Sequence, residues 1–394
     1  MNPVLCLLIV LVRAALACVT VPVVNTGAAL VYLCNDTFHV AAPELDELAV
    51  IRGRVNCTAV AELVFAKVEG YPIWEARLVA PAGPYFAYVE LQYERLDPQD
   101  VFGSTPVRVP LVLDHRFEHG GSVRAGGDRC ERDGSLFARG GYWLASPVTA
   151  RYGVQDAARA VYVPAGCALP DAPRRPLGVC FFGDSHVRHL YDEWTGALES
   201  LPEAEGTVRA VAESKTSSYV DDPYGECFGG GMPLGTTGRH ASRVHTLLSW
   251  RSRCRPANEC SVALLGFGQW FVSHAIGDSS RAPRVSAYAY AARVVEALRK
   301  ANESHARVVW LTTHPLGERW PSMYTRPPTE WRTDGVLRAY NRAAARAAAG
   351  SGFEVFDLFG MANAVHDLTY DGSHYKAPVE WEIVRMVAHA LGGT

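Results

Sequence analysis

The chain contains no Cys-x2-Cys pair, no long basic stripe and no extended apolar run beyond its first residues. Without the Cys-x2-Cys spacing, a zinc site built on thiolates is disfavoured. Without a basic stripe, and with a formal net charge of −3 and a pI near 6.5, nucleic acid is not the expected partner. A single apolar run excludes a multi-spanning membrane protein. There is no internal repeat and no low-complexity tract. What is present is an ordinary globular composition: 394 residues, 48% hydrophobic and 20% charged. A core of that size offsets chain entropy, so disorder is excluded for most of the chain. At roughly 150 residues per domain, the length suggests two or three domains.

The one apolar run lies at the N-terminus, from Val4 to Val12, followed by Arg13 and then Ala15-Leu16-Ala17. A short apolar core before a small-x-small site is the pattern of a secretory signal, here residues 1–17. The alternative is a buried N-terminal strand. The run is too short to cross a bilayer, so no integral span is expected once the signal is removed. Ten cysteines agree with an oxidising compartment. Losing Cys6 with the signal leaves nine, so one should stay free, pair with another chain or be lost with the signal, and Cys180, in an apolar strand, could be a small buried hydrophobe. Three Asn-x-Ser/Thr triplets start at Asn35, Asn56 and Asn302, as expected of a secreted or lumenal glycoprotein.

Residues 18–115 read as a small all-β, sandwich-like domain. Ala61–Val68 and Val107–Leu113 are apolar runs. Over Tyr85–Tyr93, Ala87, Val89, Leu91 and Tyr93 alternate with Tyr88, Glu90 and Gln92, the period of a half-buried strand. Residues 116–176 are rich in Gly, Arg and Pro and read as an irregular connector, stapled to the next domain through Cys130 and Cys167. From residue 177 to 394 strands alternate with helices. Strands are expected at Gly178–Phe182, Val262–Phe267, Arg307–Thr312 and Phe353–Phe359. Helices are expected at His186–Leu201, Val285–Lys300 and Pro378–Leu391, with a further one capped by Asp334 and ending at Gly350. That alternation implies an α/β fold with a mostly parallel sheet flanked by helices. Its ligand sites lie at the carboxyl ends of the strands.

The most informative stretch is Val179-Cys180-Phe181-Phe182-Gly183-Asp184-Ser185-His186. An apolar strand runs into Gly-Asp-Ser, and a helix begins at once. Gly183 permits the tight bend. The helix start offers unpaired N–H groups, that of Ser185 among them, to a developing oxyanion. A nucleophilic serine needs a base, and Asp371-Gly372-Ser373-His374 supplies both an imidazole and a carboxylate to orient it. A second Gly-Asp-Ser, Gly277-Asp278-Ser279, lacks the preceding strand, so the tripeptide alone carries little weight. The simpler reading of Asp184-Ser185 is a helix cap.

These residues resemble the SGNH (GDSL-type) hydrolase superfamily, and within it the PC-esterase group, which includes the plant trichome-birefringence-like polysaccharide O-acetyltransferases. Gly183-Asp184-Ser185 with Arg188 is similar to the first block of that group, and Asp371-x-x-His374 to its last. Gly141-Tyr142-Trp143 and Tyr162-Val163-Pro164-Ala165-Gly166-Cys167 resemble its lead-in. The resemblance spans roughly residues 140–391. It implies Ser185 as nucleophile, His374 as base and Asp371 as its partner, with no cofactor and no metal. Gly266-Phe267-Gly268-Gln269-Trp270 resembles the group's Asn-x-Gly-His/Gln-Trp segment, with Gly266 where the group has Asn. Gln269 or the Gly268 N–H could then replace the Asn as oxyanion donor. Gly229, Gly230 and Gly231 are candidates for a further glycine block. Arg188 could bind a substrate carboxylate or clamp Asp184. His186 and His189 flank Arg188, and His314 comes after a strand, where it reads as a polar loop residue.

The expected function is a serine-dependent acyl-ester enzyme on O-acetylated glycans, either an esterase or an O-acetyltransferase. Its partner is an acylated carbohydrate or a glycan acceptor. The alternative is a non-catalytic glycan-binding or adhesion glycoprotein built on the same scaffold, a reading that Gly266 favours and the intact Ser185, Asp371 and His374 oppose.

Overall fold

The computed structural model describes residues 18–23, 29–42, 49–57, 59–69, 71–93, 108–122, 129–138, 140–146, 159–169, 178–196, 217–222, 226–228, 254, 260–272, 285–316, 334–366, 368–369, 373–375 and 377–392. The expected signal, the Gly229–Gly231 run, Gly277-Asp278-Ser279 and Asp371 lie outside them.

The first strands are β1 (Cys18–Val21), β2 (Leu30–Cys34), β3 (Thr37–Ala41), β4 (Ala49–Cys57), β5 (Ala61–Val64), β6 (Ala66–Lys67), β7 (Ile73–Arg77), β8 (Gly83–Tyr93) and β9 (Arg108–His119). They form two antiparallel sheets among the described residues, in the orders β1-β2-β3-β7-β6 and β5-β4-β8-β9. The sheets share one core. Val31, Leu33, Phe38 and Val40 come from the first, and Ile51, Val55, Tyr85, Ala87, Val89 and Leu91 from the second. The alternation expected in β8 is therefore what buries it. A bulge between Ala87 and Val89 shifts the pairing with β9. Asn56 falls on β4 and is only 2% exposed, whereas Asn35 and Asn302 are exposed.

The stretch 116–176 reads as irregular in sequence and is partly regular in the fold. It holds a short helix α1 (Ser135–Ala138) and a hairpin of β10 (Gly141–Ser146) with β11 (Arg159–Pro164). Cys130 and Cys167 bond to each other, so the staple closes within the segment rather than onto the next one. Trp143 explains the position of the hairpin. Its backbone pairs with Val60 at 2.8 Å in both directions, and its Nε1 donates to the Met361 carbonyl at 2.8 Å.

The rest is α/β. The elements are β12 (Val179–Gly183), α2 (Ser185–Gly196), β13 (Ser218–Asp221), β14 (Val262–Gly266), α3 (Gln269–Val272), α4 (Ala287–Ala301), β15 (Arg307–Leu311), α5 (Asp334–Gly350), β16 (Glu354–Phe356), α6 (Leu358–Ala362) and α7 (Ala377–Leu391). The strands pair in parallel in the order β13-β12-β14-β15-β16. β12, β14 and most of β15 are buried residue after residue, which is why they read as unbroken apolar runs. Val179, Phe181, Leu264, Val309 and Phe356 face the core shared with α2 and α7. Cys180, Phe182, Leu265, Val308 and Trp310 face the other core, shared with α4 and α5.

The structure corrects several expectations. The last strand stops at Phe356, because Asp357 caps α6, its side chain accepting from the Gly360 N–H. Asp334 is the first helical residue of α5 rather than a cap, and it pairs with Arg338 at 3.2 Å. Cys180 bonds to Cys260, leaving exposed Cys57 as the free cysteine among the described residues. The other disulfides are Cys18–Cys34 and Cys227–Cys254. Among the described residues no helix is long and apolar enough to cross a membrane.

Candidate active site

In a sheet ordered 2-1-3-4-5 the chain leaves the first strand on one side and returns on the other, opening a crevice at that strand's carboxyl end. Here the first strand is β12, between β13 and β14. Its last residue, Gly183, lies opposite Gly266 of β14, and a Cβ on Gly183 would run into the Gly266 carbonyl oxygen. The bare glycine lets the chain turn at once into α2.

Ser185 is the first residue of α2 and is half-buried. Its Oγ lies 2.8 Å from Nε2 of His374, which the segment before α7 brings to the same crevice. A hydroxyl and an imidazole 189 residues apart in sequence thus meet at hydrogen-bonding distance. Asp371, expected to orient the ring, lies outside the described residues.

Asp184 sits behind the serine, 2% exposed. Burial pushes its carboxyl up to about 6, opposed by N–H groups of His186, Gln269, Gly268 and Val187 directed at it. The His186 bond is 3.0 Å. Asp184 therefore ties the β12–α2 turn to the β14–α3 turn, more than capping one helix.

Gly268 and Gln269, the anticipated oxyanion donors, both have protein partners here. The Gly268 N–H points to Asp184. Gln269 is 1% exposed, and its Nε2 donates to the His314 carbonyl at 3.0 Å. Gly268 itself is packed against Thr313 and Tyr290, with no room for a side chain. Arg188 does not clamp Asp184; its side chain is exposed and its charge acts on Asp192, one turn along α2.

Little in the sequence signals the histidines that gather here. His314 is not a solvated loop residue but is 2% exposed, with Nδ1 3.3 Å from Nδ1 of His186. His186 Nε2 lies 3.0 Å from Ser373 Oγ. The His374 ring packs against His189 at 4.3 Å and His186 at 5.2 Å between centroids. Burial, then the charges of His374 and His189, push His314 down to about 3, so it is neutral near pH 7. A cavity of about 10 Å³, at the lower limit for one water, lies between Asp184, His186, Thr312, Thr313 and His314. Among the described residues no three His, Cys, Asp or Glu side chains converge as a metal site. The one available signal is position: His186 stands directly after Ser185, and His314 just past a central strand.

No family model and no curated protein matches the sequence. Solved structures that it resembles include a putative SGNH hydrolase from Slackia heliotrinireducens, 16% identical with a TM-score of 0.33, over 55% of this chain and 99% of that one. Another is a catalytic mutant of an acetylxylan esterase from Geobacillus stearothermophilus, 10% identical with a TM-score of 0.33, over 56% of this chain and 97% of that one. A third is a carbohydrate acetylesterase from Sinorhizobium meliloti, 14% identical with a TM-score of 0.31, over 54% of this chain and 97% of that one.

Proposed function

We propose that the chain is a serine-dependent acyl-ester enzyme acting on O-acetylated glycans, of the SGNH type and akin to the PC-esterase group. The observation that carries this reading is the 2.8 Å hydrogen bond between Ser185 Oγ and His374 Nε2, set at a helix start in the crevice of the sheet. His374 takes the Ser185 proton as Oγ attacks the acyl carbon. Asp371 holds the ring and stabilises its cation. The oxyanion is met by the Ser185 N–H at the first turn of α2, since the Gly268 N–H and the Gln269 amide already have protein partners. His374 then returns the proton to the departing alcohol, leaving acyl-Ser185. Water, or a sugar hydroxyl, attacks that ester, with His374 again as base.

The glycan substrate rests on the residue-level resemblance of the Gly183-Asp184-Ser185 and Asp371-x-x-His374 blocks. Residues 177–394 form the catalytic unit in this reading. The four disulfides among the described residues suit an oxidising compartment, that of a secreted or lumenal protein.

The test is acetate release from a chromogenic aryl acetate and from acetylated oligosaccharides by the purified chain, beside Ser185→Ala. Turnover that disappears in the variant, with an unchanged melting temperature, supports the reading. Equal turnover in both would overturn it.

A further inference from the structure

The proposed base is carried by a short segment, and something must hold that segment still. His374 lies between Ser373 and Tyr375, and both neighbours are anchored. Ser373 Oγ is 3.0 Å from Nε2 of His186. Tyr375 is 2% exposed, donates to the Pro315 carbonyl at 3.2 Å, and packs edge-on against the His314 ring at 5.6 Å. His186 is itself held firmly. Its N–H donates to Asp184 Oδ1 at 3.0 Å, its Nδ1 meets His314 Nδ1 at 3.3 Å, and the residue is 4% exposed. His314 is held in turn through its carbonyl by Gln269. A chain of polar contacts thus runs from α3, through the segment after β15 and the first turn of α2, to the residue before His374.

Resting on the acyl-serine reading of Ser185, we infer that His186 is a positioning residue for the base: by bonding Ser373 and leaning on His314, it keeps His374 at hydrogen-bonding distance from Ser185. The protonation chemistry is consistent with this. His314 is neutral, so the Nδ1–Nδ1 contact holds one proton between two imidazoles. Whichever ring donates, the far nitrogen of a neutral His186 takes the opposite role. The Ser373 hydroxyl can meet it either way, being both donor and acceptor. A carboxylate or a lysine at position 373 could not adapt in this manner. His189 packs directly on the His374 ring and is not part of the inference.

The experiment separates the two imidazole nitrogens. In His186→Gln the amide reaches the Nε2 position and can still bond Ser373; in His186→Asn it reaches only the Nδ1 position. Steady-state hydrolysis of an aryl acetate is measured for the wild type, both variants, Ser373→Ala, and His186→Asn combined with Ser373→Ala. The expected result is a loss of kcat on the order of 100-fold in His186→Asn and in Ser373→Ala, the scale of a 1 Å misplacement, with KM within about twofold. His186→Gln should recover most of kcat, and the double variant should be no worse than the poorer single one, because both remove the same contact. Full kcat in Ser373→Ala, losses that multiply, or a loss confined to melting temperature would each overturn the inference. If His186→Asn does not fold, Ser373→Ala decides alone, since it removes one hydroxyl from a half-buried site. A wild type that neither hydrolyses the aryl acetate nor passes its acetyl group to an added sugar hydroxyl would refute the acyl-serine reading, and this inference with it; an active wild type with indifferent variants would refute only the inference.

Discussion

Gly183 and Gly266 lie in register at the carboxyl ends of β12 and β14, and neither has room for a Cβ. A Cβ on Gly266 would come within 2.7 Å of Val187 Cγ2 and 3.2 Å of Leu311 Cβ. The strands close on each other here so that α2 can begin directly over β14. Resemblance alone makes Gly266 look like a lost oxyanion donor; packing makes it a requirement of this chain. Gly266→Asn should therefore cost about 1–3 kcal/mol in stability, the range for overpacking a close-packed site, and should not raise turnover. Thermal melting and the aryl acetate assay check both halves. A variant as stable as wild type and faster would restore the lost-donor view.

Asp371 is the proposed partner of His374, and the expected effect of Asp371→Asn comes from that role. An amide holds the ring in the wrong tautomer and cannot balance its charge. Turnover should drop by roughly 10⁴-fold, as in established serine triads, with little change in melting temperature. Asp278→Ala and Ser279→Ala, in the second Gly-Asp-Ser, should leave turnover within about twofold of wild type by the same reasoning. A comparable loss at Asp278 would mean that the wrong triplet has been chosen.

How far the fold is legible in the residues depends on periodicity. The strands β12, β14 and β15 are apolar on both faces and stand out as runs; α4 and α5 show helical spacing. β10 and β11 do not stand out, because Leu144 and Val161 face outward while Trp143 and Tyr162 face inward, so apolar residues mark both sides of the hairpin. β13, Ser218-Tyr219-Val220-Asp221, is a polar edge strand with too little pattern to read. The Ser185–His374 pair is legible because each residue type has a chemical reason to be there. The Ser373–His186–His314 chain is not, since it depends on three segments that only the folded sheet brings together. Cys180 reads as a lone buried thiol for a related reason: its partner Cys260 stands just before β14, and adjacency in the sheet is invisible in the spacing.

Glu62 of β5 reaches across to α5 and the end of α6, accepting from Arg338 Nη2 and Asn363 Nδ2, each at 2.5 Å. The side chains of Glu62 and Arg338 are only 9% and 15% exposed. Removing one partner of a buried pair leaves the other desolvated and uncompensated, at about 3–5 kcal/mol. Asp334 still pairs with Arg338, so Glu62→Ala should fall near the lower end, about 3 kcal/mol by that scale. Chemical denaturation measures it. A change under about 0.5 kcal/mol would place the contact with ordinary surface pairs.

Glu380 lies in the first turn of α7 and is 3% exposed. Burial, and then the neighbouring Glu193 carboxylate, push it up to about 8 against one N–H of Tyr375. From the ordinary carboxyl range up to about 8, the folded chain holds a proton that the unfolded chain releases. The contribution of this group to stability is therefore complete in acid and is lost as pH rises through that window. His314 works the other way, since its depressed pKa removes stability as pH falls from its ordinary range towards 3. Comparing Glu380→Gln with wild type isolates the first effect, because glutamine copies the neutral acid and does not titrate. The melting temperatures should be close at about pH 5, and the variant should gain steadily on wild type up to about pH 8.5. A difference that stays constant across that range would mean that Glu380 is ionised in the fold and that its charge is met by a partner; a gain that grows with pH across it locates a proton held a few residues from His374.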